Sequence, residues 1–156
     1  MAIKVGTVRS VVCASPVYLA RHGTPVAPED LGKHQCISFT GLGNPDRWPF
    51  GAEGAEKSVT VQARLSVNTG EAAIDAAIAG LGLTRVLSYQ IAAAQSSGDL
   101  VTVLQTYEPT AVPISLVYNG QGVLPLKLRA FMDFAAQRLK ARLLPRAEQP
   151  QCGKRV

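Results

Sequence analysis

The run Val67-Asn68-Thr69-Gly70-Glu71-Ala72-Ala73-Ile74-Asp75-Ala76-Ala77-Ile78-Ala79-Gly80-Leu81-Gly82-Leu83-Thr84-Arg85 constrains the fold more than any other part of the chain. Asn68 can cap a helix, and Glu71, three residues on, can reach back to the amide of that cap. Ile74, Ala77, Ile78 and Leu81 share one stripe at helical spacing, with Glu71 and Asp75 off it, and Gly80 and Gly82 supply the backbone freedom that ends a helix. The spacing therefore predicts a helix over 70–80. Short strand-like runs flank it, Arg64–Val67 before and Leu83–Leu87 after, and strand–helix–strand order argues an α/β arrangement. The first turn leaves backbone N–H groups free beside Asn68 and Thr69, a geometry that receives an anion. Capping is a general device, so the spacing by itself favours a capped core helix over a ligand site.

The remaining elements fit around that unit. Val8–Ala14 is a β-branched run stopped by Ser15-Pro16, an N-cap followed by a proline at the first helical position. The helical turn around Tyr18 and Leu19 closes at Gly23, and Pro28-Glu29-Asp30-Leu31 begins another. Cys36–Phe39 returns to strand, 41–46 is a loop by composition, and Pro49 confines Arg47–Phe50 to an edge. Val59 and Val61 alternate with polar residues over Ser58–Ala63, which with Arg64–Val67 reads as antiparallel sheet feeding the helix. Ser88 reads as the cap of an alanine-rich helix, Tyr89–Ser97, ended by Gly98, and Leu100–Leu104 as another strand. Val112–Tyr118 has little polar alternation and reads as buried on both faces. Pro125 opens a long helix with the apolar stripe Leu128, Phe131, Met132, Ala135, Leu139 and Leu143. Strand–helix alternation with paired short strands before residue 67 predicts a mixed sheet.

Composition narrows the function. A chain of 156 residues, 47% hydrophobic and 17% charged, has the balance of a globular protein with room for one domain or two small lobes. No apolar run approaches a membrane span and Met1–Gly6 has no signal-peptide core, so a cytoplasmic protein without a membrane partner is expected. Cys13, Cys36 and Cys152 lack any C-x-x-C spacing and are expected as reduced thiols, two of them buried. The net charge of +5 is terminal: from residue 121 onward eight Lys and Arg face Asp133 and Glu148, whereas the earlier residues carry eight against nine. A basic terminal helix without interleaved aromatics is a solvated face before it is a nucleic-acid site. Gly41 and Gly43 lack the third glycine of a dinucleotide fingerprint, and Gly51, Gly54, Lys57 and Ser58 lack P-loop spacing. His22 and His34 accompany no G-x-S-x-G elbow or H-E-x-x-H pair, so no enzyme, cofactor or metal is expected.

Several runs, taken in order, carry a resemblance: 8–25, Pro28–Leu31, His34–Ile37, Trp48-Pro49-Phe50, Arg64–Asn68, Ala76–Leu83, Gly98–Val101, Val103-Leu104, Pro113–Tyr118 and Leu128–Phe134. Together, over about residues 7–143, they resemble the effector-binding domain of LysR-type transcriptional regulators, a bacterial family.

The resemblance implies a periplasmic-binding-protein-like (type 2) α/β fold: one complete lobe, plus the C-terminal remnant of the other, with a small-molecule effector held between lobes. The expected boundaries are 1–14 for a crossing strand and remnant of the first lobe, and 15–108 for the second lobe. Residues 109–144 would form the return crossing, strand and C-terminal helix, and 145–156 a flexible tail. The family's helix-turn-helix and dimerising linker helix have no counterpart before Met1, which suggests a truncated regulator that meets DNA only through that missing part. The intact regulator would be a homo-oligomer. By the same resemblance the effector, small and anionic or polar, is expected at Ser15 by the crossing, at the Thr40-Gly41-Leu42 loop, and at Asn68 and Thr69. The alternative is a small-molecule binding protein of the periplasmic-binding type without a regulatory role.

Overall fold

The computed structural model describes residues 2–51, 55–118 and 125–143. The strands are β1 (Ala2–Val8), β2 (Ser10–Ala14), β3 (Cys36–Phe39), β4 (Arg47–Phe50), β5 (Lys57–Thr60), β6 (Ala63–Val67), β7 (Leu83–Leu87), β8 (Val101–Val103) and β9 (Val112–Val117). The helices are α1 (Pro16–His22), α2 (Gly70–Ile78), α3 (Ala92–Ser97) and α4 (Leu126–Leu143), with 3-10 turns at Pro28–Lys33, Thr40–Leu42 and Gln105–Tyr107. They sort into two compact units: Arg9–Ala111, and the described residues of Met1–Val8 with Val112–Val156.

In unit Arg9–Ala111 a sheet of order β6-β3-β7-β2-β8 is mixed, as the sequence predicts: β3 is parallel to β6 and β7, whereas β2 is antiparallel to β7 and β8. Successive residues of β2 point to opposite faces. Val12 and Ala14 join Tyr18, Leu31, Trp48, Phe50, Val61 and Leu83 in one core, while Val11 and Cys13 join Ile37, Val86 and the α2 residues Ala73 and Ala77 in the other. Each fully buried Leu31 or Ile37 contributes roughly 1.5–3 kcal/mol of burial free energy. The expected antiparallel pairing of Ser58–Ala63 with Arg64–Val67 is corrected: β5 pairs with β4 in a separate two-stranded sheet, and β6 lies parallel to β3. Val61 is the pivot, since its side chain is buried and its N–H donates to the Asp46 carbonyl at 2.8 Å, so the chain changes sheets there.

The α2 helix begins one residue later than its capping pattern suggests. Thr69, in extended conformation, is the N-cap, and its Oγ1 accepts from Ala72 N at 3.2 Å. Asn68 is not the cap, and no capping box with Glu71 forms, because Glu71 then stands at the second helical position rather than the third. The buried face is also rotated from the expected stripe. Gly70, Ala73 and Ala77 are buried and Ile74 is half-buried, whereas Ile78 and Leu81 are 39% and 38% exposed. Small residues let the helix backbone approach the sheet, which the larger isoleucines would hold off. Gly80, at φ 81, terminates the helix as read.

Ser15 and Pro16 start α1 as the sequence predicts, with Ser15 Oγ accepting from Tyr18 N at 3.3 Å. The third helix is shorter than expected, because Ser88 does not cap it. Instead Ser88 exchanges hydrogen bonds with Arg9, N–H to Arg9 O at 2.9 Å and Oγ from Arg9 N at 3.2 Å, which extends the β2–β7 pairing. Cys13 and Cys36 are free and buried, and burial pushes both thiols up to about 12. Cys152 and the tail expected over 145–156 lie outside the described residues.

In the other unit β1 pairs antiparallel with β9, from Ala2↔Val117 to Val8↔Val112. Leu143 of α4 lies over Gly6, where a Cβ would come 2.9 Å from the Leu143 Cβ. β9, whose pattern reads as that of a strand buried on both faces, leaves Val112 and Val117 59% and 75% exposed. Met132 and Ala136 are the buried residues of α4, and Phe131 of the expected stripe is 61% exposed.

Candidate ligand-binding edge of the mixed sheet

Three parallel strands end side by side. Phe39 of β3 is level with Val67 of β6, and Ile37 with Thr84 of β7, so the segments that follow β3, β6 and β7 emerge on one edge. Antiparallel β2 starts at the same edge, with Ser10 opposite Leu87. In open sheets containing parallel strands this carboxyl-end edge is where ligands bind. It gathers five of the six sequence-predicted residues: Thr40, Gly41, Leu42, Asn68 and Thr69. Four are exposed and Leu42 is half-buried. Ser15 lies elsewhere. It follows the far end of β2, is 3% exposed, is occupied as the α1 cap, and stands beside Gly80 at the opposite end of α2.

The loop after β3 is firmly held. Nη2 of Arg85 donates to Leu42 O at 3.2 Å and to Asn44 O at 3.4 Å, and Trp48 Nε1 donates to Pro45 O at 2.9 Å. The Ser38 hydroxyl has Pro45 O at 3.0 Å and Asp46 Oδ1 at 3.1 Å as acceptors. Gly41 lies against the Phe39 ring, where any Cβ would collide. Tethers of this kind hold a binding loop in one geometry before a ligand arrives. Burial lowers the Arg85 pKa, since a charged guanidinium is poorly solvated at 7% exposure.

Beside the loop, the first turn of α2 presents its amides. Thr69 occupies those of Ala72 and Ala73, through its Oγ1 and its carbonyl; of the two residues between, Gly70 is buried and Glu71 is exposed. Gln90 completes the wall. Its Oε1 accepts from Leu87 N at 2.9 Å, which turns its amide nitrogen onto Gly70, where a side chain would collide with it. At the start of β2 Arg9 pairs with Glu108 at 3.1 Å; burial raises the Glu108 pKa while Arg9 opposes that rise. The sequence reading missed Arg85 and Gln90. A charged residue inside an otherwise apolar strand, Leu83-Thr84-Arg85-Val86-Leu87, was the available signal for the first, and nothing local marks the second.

Donors at this edge suit a small polar or anionic molecule. The histidines stand apart from it: Tyr18 stacks on His22 with centroids 4.5 Å apart, and its hydroxyl meets His34 Nδ1 at 3.2 Å, just before β3 begins. Among the described residues no group of three potential metal ligands occurs, and no helix is long and apolar enough to cross a membrane.

Comparison with known proteins agrees with this architecture. The LysR substrate binding domain profile matches residues 2–140. The chain is 31% identical over 137 residues to the probable HTH-type transcriptional regulator LtrA of Klebsiella pneumoniae, covering 86% of this chain and 44% of that protein. It is 32% identical over 131 residues to the HTH-type transcriptional regulator CrgA of Neisseria meningitidis, covering 82% and 43%. The chain thus spans less than half the length of these relatives. Among solved structures, the regulatory domain of AphB from Vibrio vulnificus, treated with cumene hydroperoxide, superposes with TM-score 0.77 at 28% identity, covering 88% of this chain and 68% of that one. The regulatory domain of CrgA superposes with TM-score 0.74 at 28% identity, covering 89% and 68%.

Proposed function

The chain belongs to the LysR substrate-binding-domain family, with its periplasmic-binding-protein-like type 2 α/β fold, and from that membership we propose that it senses a small-molecule effector for a LysR-type transcriptional regulator. The observation that carries this reading is the carboxyl-end edge: a tethered Thr40–Leu42 loop beside the first turn of α2, with exposed Asn68, Thr69 and Glu71 and the Gln90 amide around it. Free amides at a helix start favour a carboxylate or another oxyanion. The relatives are named as transcriptional regulators, which supports a cytoplasmic, non-enzymatic role over a scavenging binder. Contact with DNA is assigned to a helix-turn-helix outside this segment, and oligomerisation to the intact regulator.

The test is a thermal-shift screen of this chain against a panel of small organic acids, followed by promoter assays of a CrgA chimera carrying this segment. One acid should both raise the melting temperature saturably and change promoter output, and Asn68→Ala should shift both dose responses to higher concentration. If no acid in the panel does both, or if Asn68→Ala leaves both responses untouched, the reading fails.

A further inference from the structure

Two side-chain polar atoms among the described residues are buried without a hydrogen-bond partner: Arg85 Nε and Ser10 Oγ. They are neighbours by register. Val12 stands opposite Arg85 and Ser10 opposite Leu87 on antiparallel strands, so Ser10 and Arg85 project from the same face at diagonal positions, with Cβ atoms about 7 Å apart. Both lie near the carboxyl-end edge.

Arginine binds two oxygens side-on with Nε–H and one Nη–H. In Arg85 the Nη2 half of that fork spans the Leu42 and Asn44 carbonyls at 3.2 and 3.4 Å, the upper end of hydrogen-bond lengths, while the Nε half has no acceptor. No carboxylate pairs with it among the described residues, whose ion pairs are Arg9–Glu108 and Lys33–Asp30. A buried cation solvated only by neutral carbonyls lowers stability relative to a well-packed apolar residue of similar volume.

We propose that Arg85 and Ser10 form an anion site beneath the Thr40–Asn44 loop and that the group it takes is a carboxylate of the effector. This rests on the effector-sensing reading above. One carboxylate oxygen accepts from Nε–H and the other from Nη2–H, and the Ser10 hydroxyl donates to one of them. The carbonyls of Leu42 and Asn44 give up their shared donor, so binding releases the loop that Arg85 tethers in the free protein. Charge recognition and loop position are thereby coupled through one side chain.

The experiment uses this chain with acetate as the probe, compared with chloride and inorganic phosphate at equal ionic strength. The Arg85 Nε–H resonance, assigned by its loss in Arg85→Lys, should move saturably with acetate and not with chloride. Arg85→Gln should abolish acetate binding, and Ser10→Ala should weaken it about threefold or more, the worth of one hydrogen bond. Arg85→Met should melt at a higher temperature than the parent, whereas a merely structural tether would make it melt lower. An Arg85 signal identical in acetate and chloride overturns the proposal, as does a lower melting temperature for Arg85→Met. An equal response to phosphate overturns the carboxylate assignment. Should the Arg85 variants not fold, Ser10→Ala decides, and unchanged acetate affinity there overturns the site. No promoter is read, so this outcome is separable from that of the organic-acid screen with the chimera.

Discussion

At the level of single residues, Asn68 and Thr69 have separable roles although they are adjacent. Thr69 Oγ1 holds the α2 N-cap bond to Ala72 N, so Thr69→Val should lower stability by about 1 kcal/mol in urea unfolding, while Asn68→Ala should stay within about 0.5 kcal/mol of the parent. A second residue-level outcome concerns His34. The Tyr18 hydroxyl accepts from Gln35 N at 2.9 Å and is left to donate to His34 Nδ1, which requires a neutral imidazole. Burial first, and the nearby His22 next, lower the His34 pKa from 6.5, with Asp30 opposing. The folded protein then binds fewer protons than the unfolded chain just below pH 6.5. The stability owed to His34 is complete above that value, falls as pH drops through it, and levels off below the lowered folded value. Urea melts at about pH 7 and about pH 5 should show a smaller stability difference in His34→Gln than in the parent.

At the level of elements, the packing of α2 depends on how close its backbone comes to the sheet. Ala73 and Ala77 are fully buried while Ile78 is 39% exposed, so the same substitution should have unequal effects along the helix. Ala73→Asp buries an unpaired carboxylate and should cost about 3 kcal/mol or more, whereas Ile78→Asp should cost about 1 kcal/mol or less. Equal losses in thermal unfolding would contradict the observed face. Gly82, between α2 and β7, faces backbone: a Cβ there would lie 2.8 Å from the Gln35 carbonyl carbon and still closer to its oxygen. The peptide cannot swing aside, because Leu83 N donates to that same oxygen at 2.9 Å. Gly82→Ala should therefore destabilise by about 2 kcal/mol.

For the molecule as a whole, stability should differ between the two units. Unit Arg9–Ala111 has apolar cores on both faces of its five-stranded sheet, whereas the other unit rests on two paired strands and α4 and exposes Val112, Val117, Leu126, Phe131 and Phe134. Two strands and one helix give marginal protection, and exposed apolar side chains of this size favour association. Amides of 112–117 should exchange with solvent faster than those of α2, and light scattering should show a mass that grows with concentration over the micromolar range. A constant monomer mass with even exchange protection would refute this assessment.

What the chain alone determined is local. Ser15-Pro16, Gly23, Gly80 and Gly98 mark helix ends because capping and positive φ depend on a few neighbouring atoms; the alternation of strand and helix led to the α/β class, and ordered runs of residues carried the LysR-type resemblance. Five of the six expected site residues, named through the family resemblance, directly follow β3 and β6 in the chain, but the parallel pairing that brings them to one edge was not read in the sequence. The rest depended on contacts distant in sequence. Whether β6 pairs with β5 or β3 was decided by the burial of Val61, and the cap moved from Asn68 to Thr69 where Gly70 meets Gln90. Ser15 was separated from the other site residues by the antiparallel course of β2, a strand whose direction leaves no mark in its own residues. Arg85 looks like an isolated charge in an apolar run until the fold places its fork beneath the Leu42 and Asn44 carbonyls, because burial and hydrogen-bond satisfaction are properties of the packed molecule and not of the chain.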